Sequence, residues 1–342
     1  MYVICGNFAN NNTSIVNGQV TKTRNFAKLL KKTKEKIKTI DTSKNKLLVF
    51  FEIISAFFKC DVFFLCVSRN GTKRLTPLIS FCKKIRKKTR IIFLCVGTCP
   101  LPKDYYPGKQ LTKKEMSIGK KLSVFDIVCP ETEIMKTELQ NVFGLHNVCV
   151  FKNVQIGKRI MPKKSTSLPE NKFVYFSRIS LEKNIVELFE AIDKLDSNCK
   201  LQYSIDFYGP IDDDARSFFD DQIRKRKNIN YKGILDNEKA IEILNGYKAL
   251  IFTTKCLEGT PGAIIDSAFA NLPVVSQPFW ASNELIIEPN IGTVNSDIYD
   301  NILNFLKMDH KEIDAFKNNC YSFAVLYSEQ DAIERLKSLI NN

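Results

Sequence analysis

Short, nearly unbroken apolar runs alternate with longer stretches of helical periodicity along most of this chain. Tyr2–Cys5, Asp61–Val67, Arg90–Val96, Asp126–Cys129 and Asn147–Phe151 predict strands. Thr21–Lys36, Lys46–Phe58, Arg74–Lys88 and Glu131–Phe143 predict helices between them. Continuous apolar strands separated by helices imply a parallel sheet covered on both faces. A second series begins with strand Lys172–Ser177 and helix Ile185–Leu195. It continues through Asp206–Pro210, helix Ala215–Lys225, Lys232–Leu235, helix Glu238–Tyr247 and strand Ala249–Thr254, and runs to about Ser296. Helices near Tyr299–Phe305, Glu312–Tyr327 and Glu329–Ile340 close the chain. The 342 residues therefore divide into a first domain over 1–153, a linker over 154–171, a second domain over 172–325 and a C-terminal helix over 326–342.

The candidate chemistry concentrates in Lys255–Ser276 (KCLEGTPGAIIDSAFANLPVVS). Strand Ala249–Thr254 empties into a short turn, and a helix follows with Thr260 in N-cap position and Pro261 as its first residue. Uncovered backbone N–H groups at a helix start attract anions, and Gly259 and Gly262 allow close approach to the main chain. The helix is apolar except for Asp266, so Glu258 and Asp266 would flank a group seated at its start. This suits a sugar attached to a diphosphate.

These residues resemble the E-x7-E signature of retaining GT-B glycosyltransferases of family 4. Glu258, Gly259, Pro261, Ala268, Ala270, Pro273, Val274 and Val275 stand in register, while Asp266, Ser267 and Asn271 replace Glu, Ala and Gly. Arg178–Asn184 (RISLEKN) resembles the family's GR-x4-KG turn, with Ser177 and Asn184 in place of its glycines. Asp206–Pro210 (DFYGP), which contains Gly209, and Lys232–Leu235 (KGIL) also match, as does the Phe151–Val154 end of the first domain. The resemblance covers about residues 147–290 and implies two doubly wound Rossmann-like parallel-sheet domains facing across a cleft. It further implies that Arg178 and Lys183 hold the donor diphosphate, and that Glu258 meets the sugar hydroxyls. The Gly259–Ala263 backbone (Thr260, Pro261 and Gly262 between) would meet sugar and phosphate, and Asp266 the ribose diol. Fixed cations stabilise the charge that develops on the leaving diphosphate without a metal. In the first domain Gly18, with Lys22 and Arg24, stands where the family closes a glycine-rich loop. The family's first-domain His has no counterpart, Cys95–Thr98 occupying its place.

Charge sharpens the picture. Residues 1–153 carry 28 Lys and Arg against 10 Asp and Glu, and the remainder 23 against 27, within an overall +14. Two concentrations, Lys28–Lys38 and Lys83–Arg90, are interleaved with Leu29, Leu30, Ile37, Phe81 and Ile85. Such a surface suits anionic lipid headgroups. A solvated face and a nucleic-acid surface are the other readings, and no nucleic-acid motif accompanies the charge. No apolar run reaches the ~18 residues of a membrane span. The N-terminal apolar run is too short for a signal peptide. The eleven cysteines lie in no zinc or disulfide spacing and read as reduced core residues of a cytoplasmic protein. Asp212-Asp213-Asp214 could be taken for the metal-holding DxD of GT-A enzymes. It opens a helix, where acidic residues are favoured by the dipole, so a capping role and no metal are expected.

The expected protein is a cytoplasmic transferase peripheral at the inner face of the cell membrane. It would move a hexose from a nucleotide sugar, with a UDP-sugar expected, to a growing lipid-linked surface glycan of capsule, lipopolysaccharide or exopolysaccharide. The nucleotide sugar is a substrate, and no cofactor is expected. The alternative is a catalytically inactive GT-B-fold protein that binds nucleotide sugar or glycan.

Overall fold

The computed structural model describes residues 1–9, 18–33, 35–102, 104–162, 171–236 and 239–341. Asn17, residues 163–170 of the expected linker and Glu238 at an expected helix start lie outside them. The chain splits into two compact units, Met1–Gly157 with Tyr327–Asn342, and Lys158–Leu326.

The first unit is built on five parallel strands in the order β2-β1-β3-β4-β5. Its elements are β1 (Tyr2–Gly6), α1 (Gly18–Lys31), β2 (Ile37–Asp41), α2 (Lys46–Phe57) and β3 (Val62–Cys66). α3 (Arg69–Ile85), β4 (Arg90–Leu94), α4 (Lys113–Leu122), β5 (Ile127–Cys129) and α5 (Glu133–Phe143) follow. Every residue of β3 is buried, as a central strand of a doubly covered sheet requires.

Three expectations are corrected here. The helix expected over Thr21–Lys36 stops at Lys31, and Ile37–Asp41 is a strand paired in register with Tyr2–Gly6. It escaped notice because edge strand IKTID buries only Ile40 and Asp41, so it lacks the apolar run of its neighbours. α4 was also missed, although Thr112 and Glu115 form a capping box at its start. Asn147–Phe151 is not a strand; it contributes a single bridge from Val148 to Val128.

The second unit holds six parallel strands in the order β11-β10-β9-β6-β7-β8. The elements are β6 (Lys172–Phe176), α6 (Ile185–Asn198), β7 (Ser204–Tyr208), α7 (Asp213–Arg224), β8 (Ile229–Tyr231) and α8 (Ala240–Leu244). β9 (Ala249–Phe252), α9 (Gly262–Phe269), β10 (Val274–Ser276), β11 (Gly292–Val294), α10 (Ile298–Lys307) and α11 (His310–Val325) complete it. Lys232–Leu235 lies beyond β8 as loop, not strand. Stacked aromatics fill the core, with Phe207 between Tyr175 at 5.1 Å and Phe189 at 5.6 Å. The last helix, α12 (Glu329–Asn341), buries Ala332, Leu336 and Leu339 with Phe26, Phe64 and Phe151 in the core of the first unit. No described helix is long and apolar enough to cross a membrane.

Candidate functional site

In the second unit, the loops leaving β6, β7 and β9 meet at the carboxyl ends of the strands, where open parallel sheets bind ligands. The β6 and β7 exits are locked together. Ser177 N–H donates to Tyr208 O at 3.2 Å, Ile179 N–H to Pro210 O at 2.9 Å, and Asp212 N–H to Ile179 O at 2.9 Å. Gly209 sits at φ 144°, and a Cβ added there would lie 1.9 Å from Ser177 O. Only glycine fits at that crossing. Ser177 keeps a negative φ, so replacing the family's glycine there costs no backbone strain.

Arg178 follows directly. Its Nη1 meets Asp212 Oδ2 at 2.9 Å and its Nη2 meets Glu182 Oε2 at 3.5 Å, and the side chain remains half-exposed. Asp212 stands at the N-cap of α7, yet its carboxylate makes no cap hydrogen bond. The side-chain capping role expected for it is thus corrected: the carboxylate orients Arg178 instead. Among the described residues no group of three or more side chains is placed to hold a metal.

A single 3-10 turn, Leu181–Lys183, then swings Lys183 inward, and Asn184 ends the turn at φ 57°. Asn is the non-glycine residue that best tolerates this left-handed conformation. Its Nδ2 donates to Glu187 Oε2 at 2.6 Å and Gln277 Oε1 at 2.8 Å, which ties the start of α6 to the end of β10. Lys183 is 9% exposed. Its ammonium pairs with Glu258 and lies 5.7 Å from the centre of the Phe252 ring. Its carbonyl accepts from Thr253 Oγ1 at 2.7 Å, which fixes the turn against the end of β9. Lys183 and Glu258, 75 residues apart, are thereby brought together, with Arg178 on the same loop as Lys183.

The start of α9 differs from the expectation. Pro261 occupies the N-cap position with φ −61° and ψ 127°, Gly262 is the first helical residue, and no side chain caps the helix. Thr260 and Gly259 are buried just before it, while Gly262 is exposed and Ala263 half-buried. A Cβ added at Gly262 would meet no atom within 4 Å, so the first turn's backbone is bare on that side.

Asp266 is turned inward. It is buried, and Lys158 Nζ lies 2.8 Å from its Oδ1. Burial raises the carboxyl above its ordinary range, and Lys158 opposes this only in part. The same linker stretch is pinned by Met161, whose N–H donates to Phe269 O at 2.8 Å and whose carbonyl accepts from Asn271 Nδ2. Asn271, replacing the family's glycine, stands at φ 50°, a second left-handed position filled by Asn. Lys158 was missed because a linker lysine carries no periodic signal.

In the first unit Gly18 is the first residue of α1 and is exposed. The two cations near it are committed internally. Lys22 pairs with buried Glu131 and donates to Cys95 O, while Arg24 donates to Phe8 O at 2.9 Å. Of the two basic stretches, Lys28–Lys38 buries Leu29 and Leu30 completely, so it presents no apolar face there. The stretch around Lys83–Arg90 exposes Phe81 and Ile85.

No protein-family model matches the chain, and no curated protein matches it. Solved structures do. Anabaena HepE in complex with UDP and glucose is 11% identical, with 99% of each chain covered and a TM-score of 0.72. S. aureus TarM, in complex with UDP among other ligands, is 17% identical over 87% of this chain, with a TM-score of 0.67. The pneumococcal O-GlcNAc transferase GtfA, in complex with UDP and GlcNAc, is 14% identical over 88% of this chain, with a TM-score of 0.59. The chain spans 59% of TarM's length and 61% of GtfA's, whereas it matches HepE end to end. At such identities the likeness is one of fold, and the fold of this two-unit α/β chain is that of the GT-B glycosyltransferases.

Proposed function

We propose that the protein is a GT-B glycosyltransferase that moves a hexose from a nucleotide sugar, a UDP-sugar by the ligands of its structural neighbours, to a growing lipid-linked surface glycan. The observation that carries this reading is the meeting of Lys183, Glu258 and the uncapped start of α9 at the carboxyl ends of β6 and β9. Arg178 and Lys183 take the donor diphosphate and stabilise the charge it gains as the glycosidic bond breaks. Two cations supply this without a metal. Glu258 accepts from the sugar hydroxyls, and the Gly259–Ala263 backbone meets sugar and phosphate through its N–H groups at the start of α9. Gly209 lets the β6 and β7 exits cross closely enough to hold Arg178 beside the carboxyl ends of the strands. Asp266 takes the ribose diol by exchanging its bond to Lys158. The leaving phosphate accepts the acceptor's proton on the face it departs from, which retains the anomeric configuration and requires no side-chain base. The basic first unit meets an anionic membrane that carries the acceptor, at the inner face of the cell membrane.

A non-catalytic binder of nucleotide sugar is the second reading. The pairing of Lys183 with Glu258 and of Asp266 with Lys158 favours it, because each charge is already satisfied internally. A thermal-shift screen against UDP-, GDP- and dTDP-sugars tests the donor site itself. One nucleotide sugar at ~100 times its Kd should stabilise the protein by about 2.7 kcal/mol, and no shift with any member would reject both readings.

A further inference from the structure

Single exposed apolar side chains are ordinary, whereas a contiguous exposed apolar group rimmed by polar side chains marks an interaction surface. α2 carries such a group. Leu47 is 69% and Phe51 64% exposed, with Leu48, Phe50 and Phe58 exposed beside them. Leu47, Phe51 and Phe58 recur at i, i+4 and i+11, which is one face of a helix. The opposite face, Val49, Ile53, Ala56 and Phe57, is buried on the sheet. The rings of Phe50 and Phe51 pack edge-on at 5.6 Å, so the stripe widens into a patch.

The neighbouring helix continues it. The crossovers β2→β3 and β3→β4 run the same way across the sheet, so α2 and α3 cover the same face. Their carboxyl ends are tied: Arg86 Nη2 donates to Cys60 O at 3.2 Å, and Thr89 Oγ1 to the same carbonyl at 3.1 Å. The outer side of α3 exposes Arg74, Phe81, Lys84 and Ile85, and Lys87 and Lys88 follow. Residues 62–103 hold ten Lys and Arg and no Asp or Glu. Lys44, Lys46 and Lys59 stand at the two ends of α2 and are exposed, while the carboxylates near them are each engaged, half-buried Glu52 by Lys44 at 3.7 Å and Asp61 by the Met1 ammonium at 2.7 Å.

A soluble polyanion would satisfy these cations and leave the apolar side chains in water. A second copy docked face to face would set cation against cation. An anionic lipid surface takes both groups at once, with phosphates meeting the lysines and the acyl boundary receiving the rings. α2, with 12 residues and ~18 Å, is too short to span a bilayer. We propose that α2, with the outer side of α3 beside it, seats this protein on anionic membranes, lying in the interface plane with Leu47 and Phe51 below the phosphates. This deepens the membrane part of the proposed function and rests on that part, not on the transfer chemistry.

Flotation with vesicles of phosphatidylcholine, and of phosphatidylcholine mixed with phosphatidylglycerol, tests it on the full chain. Wild type should float with the mixed vesicles and barely with the neutral ones. Leu47→Gln with Phe51→Gln should weaken binding by about 10²-fold at unchanged circular dichroism. Lys84→Gln with Lys88→Gln should weaken it about tenfold. Phe51→Trp should show a blue-shifted emission on mixed vesicles that wild type, with only Trp280, does not. Undiminished binding by the Leu47/Phe51 variant would overturn the role of α2 while leaving membrane association in place. No binding by wild type would overturn both, and donor binding by thermal shift would still stand or fall separately. Capture by RNA that mixed vesicles do not displace, or a dimer by light scattering that the Leu47/Phe51 variant abolishes, would also overturn it.

Discussion

At the residue scale, charge is the currency of the site. Lys183 is buried against Glu258, so the donor binding proposed at its ammonium would replace one charge partner with another. Arg178 is held ready at the surface by Asp212 and Glu182. Arg178→Ala and Lys183→Ala should each lower turnover by at least ~10²-fold with the fold intact, as measured by initial rates and circular dichroism. Asp266→Ala should mainly raise KM for the donor, and Glu258→Ala should mainly lower kcat, if, as proposed, only the latter meets the sugar as it changes shape. Identical kinetic signatures would remove the ribose assignment from Asp266.

The buried Asp266 also makes a pH prediction. Its folded-state carboxyl is raised above the unfolded value, mainly by burial. Such a group adds stability below its unfolded pKa and loses it as pH rises through the folded one. The uncharged isostere in Asp266→Asn should therefore have a higher Tm than wild type at neutral pH. The gap should narrow as pH falls into the ordinary carboxylate range and close below it, where both states of wild type are protonated. A gap that does not change with pH would show that Asp266 is not held above its ordinary range.

At the element scale, the glycine crossing at Gly209 and left-handed Asn184 decide how the loops leave β6 and β7, and left-handed Asn271 how the chain leaves α9. Gly209→Ala should cost about 2–4 kcal/mol by denaturant unfolding, since the new Cβ cannot coexist with Ser177 O. Asn184→Gly should cost about 1–2 kcal/mol for the lost bonds to Glu187 and Gln277, and Asn184→Ala should cost about 1 kcal/mol more, as expected at φ 57°. These positions also explain what the sequence made legible. The central strands and the α9 segment stood out because burial on both faces writes an unbroken apolar run, and because the turn residues around Glu258 have a fixed spacing. β2 was hidden because an edge strand that buries two residues writes almost no pattern. The start of α9 was misplaced by one residue because Thr-Pro suits both a cap and the residue before one. The partners of Arg178 and Asp266 were not legible at all. Asp212 and Lys158 acquire their roles only when loops 34 and 108 residues apart in sequence are folded together.

At the scale of the whole molecule, the chain builds two parallel-sheet units with different charge, the first strongly basic and the second slightly acidic. α12 returns to the first unit, where Leu336 is fully buried beside the strands, so Leu336→Ala should cost about 2–5 kcal/mol. Its apolar contacts belong to that unit's core, and truncation before Glu329 should expose them, which dye binding would report. If two side-chain cations suffice for the leaving diphosphate, activity should survive EDTA, and Asp214→Asn should be nearly silent. Loss on chelation with recovery on Mn2+ would assign that work to a metal instead.

As proposed, the chain transfers sugar through Lys183 and Glu258. Its most direct test is turnover of the nucleotide sugar that stabilises wild type most, followed by release of nucleoside diphosphate with and without a glycan acceptor. Wild type should release diphosphate, faster with acceptor, and release should be at least ~10²-fold slower in both Lys183→Ala and Glu258→Ala. Tight donor binding with no release in wild type, or equal release by all three proteins, would contradict it.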